Sequence, residues 1–357
     1  MVHDTLSDSD RRFLAYLRGL AILVIVFGHV GGFWFYEPYT EFLHVFVPVF
    51  FFLSGAVSYY SYRRSNSVVE YLKKRVLRLL VPYYLVCTLS VAAYVAENAT
   101  LPGFTVGNLL MELTIRPDRG LQGFPLGGVW FLHTLIVLSI ASPVLFWLYD
   151  RAPKLLMCAL CTPIGLSTVQ LFGDVHHLFD LAENNLYKPI VHSTFYVLGY
   201  VYFSSDALRK KWVLAASVAG GILLSLGLVA ALDLRVDYTY HAFSPDLYYV
   251  SGSLAAIAAL LLLQTAILNA CGRLPPAGRI LDFMHRYTFP IYLLHPCAIY
   301  LTERLLGLVH PTGAFVGYGI AKFAIVLAST CVMAIPFGYL SDRLTSLSLG
   351  LLGVRKA

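Results

Sequence analysis

An arginine and a histidine stand eleven residues apart in an otherwise apolar run, Arg18-Gly19-Leu20-Ala21-Ile22-Leu23-Val24-Ile25-Val26-Phe27-Gly28-His29. On a helix turning about 100° per residue, that spacing returns His29 to within about 20° of Arg18, about 16 Å further along the axis. One face therefore carries a permanent cation toward one end and a titratable ring toward the other. A guanidinium offers a planar fork of donors for phosphate or carboxylate. An imidazole, whose ordinary pKa is about 6.5, is largely neutral at physiological pH and can take a proton. Ionisable groups in so apolar a run face a polar cavity by default. Plainer readings stand beside this one: Arg18 as an anchor reaching to the interface, and His29 hydrogen-bonded inside a helix bundle. Gly28, Gly31 and Gly32 flank the histidine and remove bulk, which serves either the close approach of a substrate or helix packing alone.

The elements that must hold this pair follow from composition. The 357 residues are 58% hydrophobic and 13% charged, against about 25% charged in a soluble domain, which excludes an ordinary cytosolic enzyme. A helix needs about 20 apolar residues to cross the hydrocarbon core. Stretches near that length lie at 14–35, 42–62, 76–96, 126–148, 155–172, 188–204, 212–232, 247–269, 288–308 and 313–340. The fold class is thus all-α, a polytopic transmembrane bundle of about ten spans. Lys and Arg gather in alternate connections, among them Arg11, Arg12, Arg63, Arg64, Lys73, Lys74, Arg151, Lys154, Arg209 to Lys211, Arg273, Arg279, Arg286 and Arg343. By the positive-inside rule both termini are cytoplasmic.

The organisation expected is a cytoplasmic segment 1–13, a membrane domain 14–341 and a cytoplasmic tail 342–357. The formal charge of +6 reads as a topology signal beside anionic lipid, so membrane lipids are partners and nucleic acid is not. The first apolar run is too long for a signal-peptide core and is expected to remain as a span. Cys158 and Cys161 form a C-x-x-C inside an apolar helix, with no context for redox or metal chemistry. The outer loops from Glu97 to Pro125 and Gly173 to Tyr187 carry Pro, Gly, Asn and the pair His176 and His177, and read as irregular lids. Adjacent histidines do not share a helical face, so no metal is expected there.

Several further segments occur in an informative order. The run Phe46-Val47-Pro48-Val49-Phe50-Phe51-Phe52-Leu53-Ser54-Gly55 comes first, then Lys74-Arg75-Val76-Leu77-Arg78 leading to Pro82-Tyr83. Gly128-Val129-Trp130-Phe131-Leu132 and Pro290-Ile291-Tyr292-Leu293-Leu294-His295-Pro296 follow. With the Arg18 and His29 spacing, this series resembles the acyltransferase 3 family, integral membrane enzymes that acylate sugars and other hydroxyl compounds. The resemblance covers the chain from Arg18 to about Leu301 and leaves the middle helices without a diagnostic motif. Members with an added extracytoplasmic esterase-like domain continue the Trp-Phe-Leu motif with acidic residues. Here His133 follows instead, so no glutamate role is carried over, and the chain looks like the short stand-alone type.

The resemblance implies acyl transfer from acetyl-coenzyme A, or another acyl-coenzyme A, to a sugar, glycolipid or polysaccharide hydroxyl at a bacterial inner membrane. Such transfer needs a base for the hydroxyl proton, donors for the oxyanion and a grip on the donor substrate. His29 is the expected base, by direct attack in preference to an acyl-imidazole. Arg18, Arg75 and Arg78 are expected to hold the phosphates of coenzyme A. Ser54, Trp130, His133, Tyr292 and His295 are expected around the acceptor, each with a structural alternative: a bond to its own helix, an interfacial belt, or packing. Tyr292 and His295 share a face at three-residue spacing. Lys322, Glu303 and Arg304 read as mutually neutralising charges. The rival reading is a transporter or flippase of a glycan or lipid intermediate, which ten spans and intramembrane charges would also serve. The sequence shows no internal repeat to support it.

Overall fold

The computed structural model describes residues 6–32, 36, 39–98, 129–181, 184–306 and 316–354. Most of the loop between Glu97 and Pro125, including Arg116 and Arg119, lies outside these. Thirteen α-helices follow in chain order: α1 (Asp8–His29), α2 (Phe46–Arg63), α3 (Val68–Asn98), α4 (Val129–Arg151), α5 (Pro153–Gln170), α6 (Tyr187–Ser204), α7 (Lys211–Leu232), α8 (Tyr238–Phe243), α9 (Leu247–Leu262), α10 (Gln264–Arg273), α11 (Pro275–Arg286), α12 (Thr288–Leu306) and α13 (Val316–Leu351). The 3-10 turns Thr40–Val45 and His176–Phe179 and a pair of two-residue strands, β1 (Asp180–Leu181) and β2 (Asn184–Asn185), complete the described elements.

The chain divides into two compact units. The first comprises Met1–Arg64, Ala141–Asp180 and Asn185–Arg286, and the second Ser65–Ile140, Leu181–Asn184 and Tyr287–Ala357. In the first, α1 packs on α2 and α11, α2 on α6, α5 on α6, and α9 on α7. In the second, α13 packs on α12 and α3.

Each of the ten apolar stretches is largely helical over its described residues. Five are long and apolar enough to cross a membrane, α1, the stretch Thr40–Arg63, α4, α7 and α13, or six if α9 and α10, bent by 54°, form one broken span. Among the described residues, this test supports five or six of the ten expected spans. α5 and α6, at 18 residues each, reach about 27 Å against a core about 30 Å thick. α7 shows why lipid is the solvent here, because only 6% of its apolar window is buried. Leu223 and Leu226 are 68% and 62% exposed on it. In water such a surface would drive association; in hydrocarbon it costs nothing.

Two helix boundaries depart from the sequence reading. α1 begins at Asp8, inside the segment expected to be a tail, and Arg18 consequently sits in its third turn. Ser7 caps it, its hydroxyl accepting the Asp10 amide at 3.1 Å and donating to the Asp10 carboxylate at 2.7 Å. Asp10 is only 2% exposed, yet it is satisfied by Arg209 at 2.7 Å and Gln264 at 3.0 Å. The other end also comes earlier than expected. His29 is the last residue of α1, and Gly31 follows with φ of 102°, a left-handed conformation that ends helices and suits glycine. Gly31 thus ends the helix, while Gly28 remains inside it.

α2 and α6 approach backbone to backbone. A methyl group on Gly55 would lie 2.7 Å from the carbonyl carbon of Tyr196, and one on Gly199 would lie 2.8 Å from that of Phe52. Small residues on both faces let two helices exchange dispersion contacts along their whole length, the main attraction between helices in lipid. This gives the Ser54-Gly55 end of the second-helix motif a structural reason.

Candidate active site

The first unit holds Arg18, His29 and Ser54. Arg18 and His29 lie on one continuous helix, so the face-sharing geometry read from their spacing stands. Beside Arg18, Gly19 brings α11 against α1: a methyl group there would overlap the carbonyl oxygen of Leu281. The packing sets Arg18 near His285 of α11, whose charge environment also includes Asp282. Burial, then the Arg18 guanidinium, push the His285 imidazole down to about 4, with Asp282 opposing. His285 is a neighbour that sequence reasoning missed. The only sign of it was an amphipathic stretch between two apolar runs.

At the other end of α1 stands His29. The 3-10 turn that follows, Thr40–Val45, packs against α1, α8 and α9 and carries two residues not singled out from the sequence, Glu41 and His44. His44 is within electrostatic reach of both His29 and Asp237. Glu41, 3% exposed, shares a side-chain hydrogen bond with Asp237. Asp237 lies just before α8 and caps it, its carboxylate accepting the Tyr240 amide at 2.9 Å. Burial would raise its pKa, but that amide, the Glu41 carboxyl and Arg235 outweigh burial and hold it below the usual range. The turn therefore brings a histidine near the expected base, and that histidine in turn lies within reach of Asp237.

A second buried pair supports this end. His241, 4% exposed, directs Nδ1 to the Asp246 carboxylate at 2.5 Å and Nε2 to the Arg235 carbonyl at 2.9 Å. Both partners only accept, so both ring nitrogens carry protons and the ring is an imidazolium. Burial pushes its pKa down, but the Asp246 hydrogen bond and charge outweigh this and raise it overall. Asp246 also caps α9, accepting the Tyr249 amide at 3.0 Å.

Ser54 is buried on α2 beside Gly55. His192, not considered from the sequence, is fully buried on α6, its Nδ1 donating to the Lys188 carbonyl at 2.9 Å and its ring 4.5 Å from that of Phe51.

The second unit holds the other expected site residues. Arg75 of α3 donates from Nε to the Ser139 hydroxyl at 3.3 Å, and Arg78, one turn on, is exposed. At the start of α4, Trp130 meets Phe131 edge-on, and Phe131 lies 5.2 Å from Tyr292 of α12. The Tyr292 hydroxyl bonds the Leu132 backbone, in the first turn of α4 where amides lack helical partners. Tyr292 and His295 do share a face, with ring centroids 6.1 Å apart. His295, 1% exposed, donates Nδ1–H to the Ile291 carbonyl at 3.2 Å. Trp130, Tyr292 and His295 thus belong to one aromatic cluster, while His133 is half-buried on α4. Lys322, 1% exposed, is paired with Glu303 at 2.6 Å, the neutralisation expected of them.

A family model described as an acyltransferase domain matches residues 11–340 of the chain. No curated protein and no solved structure matches.

Proposed function

Because the chain belongs to the acyltransferase 3 family, and so is an integral membrane acyltransferase, we propose that it transfers an acyl group, acetyl foremost, from cytosolic acyl-coenzyme A to a hydroxyl of an extracytoplasmic or lipid-linked sugar or polysaccharide. The setting proposed is a bacterial inner membrane, with both termini cytoplasmic and about ten spans. His29 takes the proton as the acceptor oxygen attacks the thioester carbonyl, and the carbon–sulfur bond breaks. The imidazolium then returns that proton to the departing thiolate, so the base is regenerated. Arg18, Arg75 and Arg78 are assigned the phosphates of the donor. Ser54, Trp130, His133, Tyr292 and His295 are assigned to the acceptor.

The observation that carries the reading is α1 itself. It carries a guanidinium and an imidazole on one face at the family's spacing, within the matched residues. His44, within electrostatic reach of His29, is a second imidazole at that end of the helix.

His29→Ala tests the proposal, assayed by mass spectrometry of surface glycans and lipids at unchanged membrane abundance. Loss of a general base slows the chemical step about 10²–10⁴-fold, so the acyl mass should disappear while acceptor export continues. Loss of export with the ester still formed would instead make the protein a transporter.

A further inference from the structure

The connection between α5 and α6 holds three metal-ligating side chains outside the machinery described above. Asp174, His176 and His177 each offer one ligand atom, and the three atoms all lie within 4.8 Å of one another. A point equidistant from atoms so placed lies no more than about 2.8 Å from each, and zinc takes nitrogen and oxygen ligands at about 2.0–2.2 Å. A shift of under about 1 Å per ligand, within the reach of side-chain rotation, closes that difference.

The loop is held by its own hydrogen bonds. Gln170, at the end of α5, donates to the Asp174 carboxylate at 3.0 Å and accepts the Val175 amide at 3.0 Å. Asn185 donates to the His176 carbonyl at 3.1 Å and accepts the Tyr187 amide at 3.0 Å. Gln170 and His176 both bond the Asp174 carboxyl. His176 already sets Nδ1 against that carboxylate. The sequence argument against a metal assumed a helix, but the two histidines lie in a four-residue 3-10 turn. Their rings sit edge to face there, 6.1 Å between centroids.

We propose that Asp174, His176 and His177 bind a divalent transition-metal ion. Two imidazoles and one carboxylate suit zinc, nickel or copper, and too few oxygens converge for calcium or magnesium. Asp174 and His177 are exposed and His176 is half-buried, so water completes the coordination sphere and the ion enters directly from solvent. The metal takes the place of the hydrogen bond between His176 and Asp174.

The test is calorimetric titration of zinc chloride into the full-length protein in detergent, with no polyhistidine tag. The expected result is one equivalent bound at micromolar affinity. His177→Gln, His176→Gln and Asp174→Asn should each weaken binding at least tenfold while leaving the melting temperature of the metal-free protein unchanged. Magnesium chloride should give no saturable binding. The proposal is overturned if the wild-type protein takes up no zinc, or if all three variants bind zinc as the wild type does.

Discussion

Replacing Gly55 with alanine tests the packing that positions α2 and its Ser54. The added methyl would stand 2.7 Å from the Tyr196 carbonyl carbon and 3.0 Å from its Cα, where a relaxed carbon contact needs about 3.5–4.0 Å. The obstruction is backbone, so no rotamer relieves it, and α2 and α6 must separate by about 1 Å. A gap of that size forfeits a quarter to a half of each contact worth about 0.1–0.2 kcal/mol, or about 1 kcal/mol over some 20 atom pairs. Overpacking strain adds about 1–3 kcal/mol, for a total of about 2–4 kcal/mol. Thermal unfolding of the detergent-purified protein should then fall by about 3–5 °C. Gly220→Ala is the matched control, because no atom lies within 4 Å of a methyl group there, and it should stay within about 0.5 kcal/mol of wild type. Gly199→Ala strikes the same contact from the other side, so the double variant should cost less than the sum of the two. If Gly55→Ala melts where Gly220→Ala does, the backbone contact between α2 and α6 is not what holds them.

Other perturbations probe the charged neighbours of the site. Asp246→Asn keeps the cap on α9 but removes the counter-charge of the buried His241, and should destabilise the protein by about 3–5 kcal/mol in urea titrations at pH 6. Because the pKa of His241 is raised by folding, the contribution of this pair is complete below about pH 6.5 and fades as pH climbs through the raised value, so the difference between wild type and variant should shrink at alkaline pH. His285 works in the opposite sense. Its pKa falls to about 4 on folding, so stability is retained above about pH 6.5 and lost as pH drops toward 4. Melting curves from pH 7.5 to 5 should slope downward in the wild type and flatten in His285→Gln.

The helical character of the chain was legible because hydrophobic runs near span length leave few alternatives, and the spacing of Arg18 and His29 needed only the helical repeat. Helix ends were less legible. Asp8 and Asp10 look like a solvated tail, and Asp10 becomes part of a helix because Arg209 and Gln264, far along the chain, compensate it. Gly31 could be read as a spacer or as a terminator, and only its φ decides. Glu41, His44 and Asp237 escaped notice because no local pattern links a turn after the first helix to a residue almost two hundred positions later. The same holds for His285, placed beside Arg18 by the contact at Gly19.

The Asp10 cluster has a consequence for biogenesis. Its partners are 199 and 254 positions downstream, so at a translation rate of about 5–20 residues per second the first helix waits about 10–40 s for Arg209 and longer for Gln264. Throughout that interval the carboxylate must stay in water or bind a proton, which holds the beginning of α1 at the membrane surface. Its final seating comes late in synthesis, when a cation and an amide made long afterwards arrive to draw it in.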